Sequence, residues 1–214
     1  RVIAALHTVK FAERGLASYG KPGNYFERQI GRWSKQYVAS ITQTIEEMDK
    51  LMAWLPAHMP ASARDENRVS IVHGDFRLDN LMFHPTEPRV IAVLDWELST
   101  LGHPLADFSY HCMAWHIQPG QFRGIGGLDL PALGIPSEQE YIRMYCERTG
   151  LATPEELSAD WNFYLAYNLF RLAAILQGIA KRVEMGTASS AQAKASGEGA
   201  RPLAQLAWSF AQRG

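Results

Sequence analysis

Between residues 68 and 97 the chain alternates short apolar stretches with polar turns in an order that few folds accommodate. Arg68-Val69-Ser70-Ile71-Val72 reads as a strand and runs directly into the polar segment His73-Gly74-Asp75-Phe76-Arg77-Leu78-Asp79-Asn80. Leu81-Met82-Phe83 and Val90-Ile91-Ala92-Val93-Leu94 read as two further strands, joined by His84-Pro85-Thr86-Glu87-Pro88 with its turn-forming residues. The last of these strands ends in Asp95-Trp96-Glu97. Such a pattern places a carboxylate (Asp75), an amide oxygen (Asn80) and a second carboxylate (Asp95) on two neighbouring loops.

The flanking sequence is mostly helical, so the expected class is α+β, mainly helical, around a small β-hairpin region. Val2 to Val9 is a short apolar helix, followed by the loop Gly20 to Asn24. Ile30, Trp33, Tyr37, Ile41, Ile45, Met48, Met52 and Leu55 recur at helical spacing, which predicts one amphipathic helix ended by Pro56 and Pro60. Ala61 to Asn67 reads as polar loop. Pro104 opens a helix to about Trp115, and Gln118 to Pro136 is a Gly/Pro-rich excursion expected to be mobile and substrate-facing. Ser137-Glu138-Gln139-Glu140 and Thr153-Pro154-Glu155-Glu156 are capping boxes, and Gly150 is a helix stop. The second box opens a helix to Gly186, with a break expected near Ala159. Thr187 to Ala200 is Ser/Ala/Gly/Lys-rich and expected to be a mobile linker within one domain covering 1–214. Pro202 to Gln212 is the last helix.

Composition removes several function classes. The 21 Lys and Arg nearly balance the 22 Asp and Glu, leaving none of the basic surplus that nucleic-acid binding requires. Cys112 and Cys146 lie in apolar helical sequence and read as buried free thiols, which suits a reducing, cytoplasmic setting. The most apolar stretch, Leu165 to Ala180, holds Asn168, Arg171 and Gln177 and reads as too short and polar for a membrane span. Arg171, Lys181 and Arg182 read as a solvated helix face. His103, His111, Cys112 and His116 are close in sequence, but their spacing matches no compact zinc-ligand pair.

The residue types on the two loops are those of phosphoryl transfer, which needs an oriented hydroxyl, a late proton acceptor and magnesium against the nucleotide phosphates. In spacing, His73-x-Asp75-x-x-x-x-Asn80 with the Asp95-bearing strand end resembles the catalytic and metal loops of the aminoglycoside phosphotransferase branch of the protein-kinase-like fold. Gly102-His103-Pro104-Leu105-Ala106-Asp107 is similar to that family's Gly-x-Pro-x-x-Asp segment. The resemblance implies a kinase-like C-terminal lobe whose function is ATP- and Mg2+-dependent phosphate transfer to a small-molecule hydroxyl. It implies Asp75 as the hydroxyl-orienting base, Asn80 and Asp95 as ligands of magnesium and nucleotide, and His73 and Asp107 as supports of the loop. Arg77 stands where a phosphate-clamping cation could act, with a salt bridge to Asp79 as the plain alternative. Glu97, in place of the Gly of a protein kinase's Asp-Phe-Gly, is a further metal candidate and argues against a protein kinase.

The resemblance covers only the C-terminal lobe, and the family's ATP-binding N-terminal lobe is expected either to lie outside this sequence or to have been lost. On that reading the chain alone is expected to bind Mg-ATP poorly, to turn over barely, and to expose an apolar face prone to self-association. Gly20-x-Pro22 and the helix Arg28-Gln29-x-x-Arg32-Trp33-x-x-Gln36-Tyr37 look most like the kinase-like domains associated with acyl-CoA dehydrogenases, which suggests a hydroxyacyl thioester acceptor. The rival reading is a non-catalytic kinase-like module that binds a metabolite or partner.

Overall fold

The computed structural model describes residues 1–188 and 192–214. Among these, helices dominate: α1 (Val2–His7), α2 (Tyr25–Ala39), α3 (Glu46–Ala57), α4 (Ala61–Arg64), α5 (Pro104–Cys112), α6 (Glu138–Thr149), α7 (Pro154–Glu184), α8 (Ala193–Glu198) and α9 (Ala200–Ala211). The strands are β1 (Ser70–Val72), β2 (Leu81–Phe83), β3 (Val90–Val93) and β4 (Thr100–Gly102). They form two antiparallel ladders, β1 with β4 and the expected hairpin β2 with β3. Ser70 pairs with Gly102 and Leu81 with Val93, with an irregularity between Met82 and Phe83.

The core is organised on α7, against which α2, α5, α8 and α9 pack. Its capping box forms as expected: Thr153 Oγ1 accepts from Glu156 N–H at 3.2 Å, and Glu156 Oε2 accepts from Thr153 N–H at 2.9 Å. With Pro154 at its first position, the helix then runs unbroken through Ala159 to Glu184. It is long and apolar enough to cross a bilayer, but 83 % of its most apolar window is buried inside the protein, so that surface is already covered. Phe26 of α2 meets Phe163, Tyr164 and Tyr167 of α7, and Phe108 of α5 stacks on Tyr145 at 3.8 Å between ring centroids.

The single helix expected over Ile30 to Leu55 is two. α2 stops at Ala39, where Ser40 Oγ turns back onto the Gln36 carbonyl (2.9 Å), a bond that competes with the helical ladder. The Ser40 carbonyl freed by the break accepts instead from Gln177 of α7 at 2.9 Å. Tyr37 and Ile45 are both buried across the break, so the burial period continues where the helix does not. Pro56 lies inside the last turn of α3 rather than beyond it. The expected linker over 187–200 is also different: Ala193–Glu198 is helical, and Gly197 sits so close to Ala180 of α7 that a Cβ would lie 2.9 Å from its backbone. Of that expectation, residues 189–191 lie outside the described residues.

Candidate active site

The loop after β1 is held by a buried carboxylate. Asp107, in the first turn of α5, accepts from the backbone N–H of His73 at 2.7 Å and of Gly74 at 2.8 Å. Its Oδ2 also lies 3.2 Å from His7 Nε2, and His7 Nδ1 lies 2.7 Å from the Tyr145 hydroxyl. Burial by itself raises the Asp107 pKa, but the bond from His7 and the two backbone donors outweigh it and hold the carboxyl below its ordinary value. Gly74 is required at its place. Its φ is +84°, and a Cβ there would meet the Leu98 carbonyl at 2.7 Å.

His73 fastens this loop to the second one. The Asp75 N–H donates to His73 Nδ1 at 3.2 Å, which leaves Nε2–H to donate to the Leu94 carbonyl at 2.8 Å. The Leu94 N–H in turn donates to the Asn80 carbonyl at 2.8 Å. The residue before Asp95 is thereby tied to both ends of the Asp75–Asn80 loop. Asp95 itself has φ +66°, a left-handed conformation that Asp tolerates better than most residues.

The two oxygens of Asp75 are held from different sides. Oδ2 accepts from Asn80 Nδ2 at 3.1 Å, and the same amide donates to the Asp75 carbonyl at 2.9 Å. Oδ1 accepts from the Tyr110 hydroxyl at 2.7 Å. Arg77 Nε lies 3.1 Å from Oδ2 without hydrogen-bond alignment, and 3.9 Å from Asp79. Asp79 is more closely paired with Arg123 from the Gly/Pro-rich excursion. So Arg77 is an ion-pair partner of Asp75 first and of Asp79 second.

Arg171 departs from the solvated role expected of it. It is buried, donates to the Gly74 carbonyl, and has its guanidinium 4.9 Å from the Tyr110 ring centroid and 5.4 Å from that of Trp33. Lys181 does stay partly exposed, paired with Glu184. The structural roles of His7, Tyr110, Arg123 and Arg171 were not read from sequence. For Arg171 a signal existed, since a lone guanidinium in an apolar helix is seldom left to solvent.

Residues fit for magnesium are present. The Asn80 amide nitrogen is used by Asp75, while among the described residues nothing engages its Oδ1, and Asp95 has neither cation nor donor as a partner. Two free, hard oxygens suit an ion that completes its shell with water and phosphate. Glu97 lies in an exposed turn (Trp96–Leu98), and no hydrogen bond or ion pair links it to Asp75, Asn80 or Asp95. Among the described residues no three His, Cys, Asp or Glu side chains converge as a metal cluster. His103 bonds the Ser62 carbonyl, His111 packs on Phe76, and His116 pairs with Glu138.

Beside Asp75 opens a cavity of about 410 Å3. Its walls are largely apolar, among them Met113, Ile117, Phe122 and Ile125, with Arg77, Asp79 and Arg123 as charged lining. Tyr110 lines it as well, so one ring touches both the cavity and the carboxylate. The excursion over 118–136 thus forms part of the cavity wall, with Phe122 at φ +23° and Arg123 at φ +57°.

The profile of the phosphotransferase enzyme family matches residues 1–157. The chain belongs to that family. A crystal structure of a candidate aminoglycoside phosphotransferase from Ralstonia eutropha superposes with a TM-score of 0.92 at 63 % identity, over 99 % of this chain and 63 % of that one. The fold is therefore that of a kinase-like C-terminal lobe. Acyl-CoA dehydrogenase family member 10 of Mus musculus is 47 % identical over the whole of this chain, which covers 19 % of that protein. Family member 11 of Homo sapiens is 39 % identical over 99 % of the chain, which covers 26 % of it. The chain thus spans about a fifth to a quarter of the length of these relatives.

Proposed function

We propose that this lobe belongs to an ATP- and magnesium-dependent phosphotransferase acting on a small-molecule hydroxyl. Asp75 orients that hydroxyl and accepts its proton. Asn80 and Asp95 would hold magnesium, which would supply charge neutralisation on the phosphates. Arg77 would supply positive charge to the transferring group, and Asp107 and His73 fix the loop. The observation that carries this reading is the double tie of the Leu94 backbone, to the Asn80 carbonyl and to the His73 side chain, which holds the Asp95 strand end against the Asp75 loop.

The acceptor is a hydroxylated acyl thioester. A largely apolar cavity adjoining Asp75 suits an acyl chain and offers little to a polycationic sugar. The association of related sequences with acyl-CoA dehydrogenases supports the same choice.

The test is turnover of the full-length protein with Mg-ATP against hydroxyacyl thioesters, amino sugars and amino alcohols. Hydroxyacyl thioesters should be the productive class, and Asp75→Asn should lower kcat at least about 100-fold, the range of a lost general base. Retained turnover in Asp75→Asn would remove Asp75 from that role.

A further inference from the structure

We propose that Tyr110 is a positioning residue that aims the Asp75 carboxylate at the acceptor side of the site, braced by Arg171. This rests on the reading of Asp75 as the group that receives the hydroxyl proton.

Among the described residues three side chains face the Asp75 carboxylate. Asn80 and Arg77 both approach Oδ2, and in the proposed function both have a second task toward metal or phosphate. Among the described residues Tyr110 alone holds Oδ1, and it does so from the wall of the apolar cavity. Burial raises the Tyr110 pKa far above its ordinary value, so the phenol keeps its proton and always donates. A carboxylate fixed through both oxygens keeps one set of lone pairs for the substrate, whereas one held through Oδ2 only can turn about its χ2.

The brace is equally specific. The Arg171 guanidinium underlies the Tyr110 ring and donates to the carbonyl of Gly74, the residue before Asp75. One buried cation therefore fixes the backbone of the base and the ring that holds its side chain. A molecule packed on that ring in the cavity would meet the carboxylate at a set angle, which is what proximity catalysis requires.

Tyr110→Phe isolates the hydroxyl. The ring stays over Arg171 and in the cavity wall, and the Asp75 side chain, 15 % exposed, can take water at Oδ1. In the full-length protein kcat with a hydroxyacyl thioester should fall about 10- to 100-fold. KM for acceptor and for ATP should stay within about twofold, and the melting temperature within about 4 °C. A crystal structure of the variant should show the Asp75 carboxylate turned from its present position. An unchanged kcat, an unmoved carboxylate, or a joint fall of kcat, affinity and melting temperature would each overturn the proposal. Should the wild type leave every hydroxyacyl thioester untouched, the acceptor assignment fails instead, and the carboxylate's position in the variant still decides the role of Tyr110.

Discussion

His103 and His111 are the residues whose burial has the clearest consequence for the molecule. Each is depressed to about 4, chiefly because the interior disfavours the charged ring. His103 is further committed to the neutral form, since its Nδ1 accepts from the Leu105 N–H at 3.2 Å while Nε2 donates to the Ser62 carbonyl at 2.9 Å. In the unfolded chain both return to about 6.5, so below that pH the unfolded state binds more protons. Their contribution is complete above pH 6.5 and is lost as pH falls toward 4, at up to roughly 1.4 kcal/mol per pH unit for each. Denaturant titrations between pH 7.5 and 4.5 should show this loss, and replacing His111 by Gln should flatten part of the slope. Asp107, held low, extends the acid loss further, below about pH 4 where free carboxylates protonate. A stability flat from pH 7.5 to 4.5 would contradict the burial argument.

Elements whose ends are chemically marked are the ones that read true. The boxes at Ser137 and Thr153 form, and Gly150 ends α6 at φ +62°. Capping is local: donor, acceptor and backbone conformation lie within four residues. Thr153→Ala should accordingly lower stability by about 1 kcal/mol without touching the site, measurable as a shift in denaturation midpoint at constant slope. A loss beyond about 2 kcal/mol would mean that Thr153 does more than cap. Where the deciding partner is remote, the pattern misleads. The α2–α3 break is satisfied by Gln177, more than 130 residues away, and β4 is a three-residue strand with no signal of its own, paired to β1. Helix α8 forms in Ser/Ala/Gly-rich sequence because α7 and α9 give it a surface.

Across the molecule as a whole, the hairpin between Asn80 and Asp95 presents Met82, Phe83, Ile91 and Leu94 to solvent. Spacing along the chain fixed the order strand, loop, hairpin and strand end, the place of Asp107 under the loop, and the marked helix ends. All of these depend on spacing along the chain, and backbone geometry converts spacing directly into placement. Long-range packing set the rest: Tyr110 and Arg171 hold the Asp75 segment, His7 reaches Asp107, and an apolar cavity opens beside them. Those contacts join residues 35 to 100 positions apart, where packing rather than local preference selects the partner.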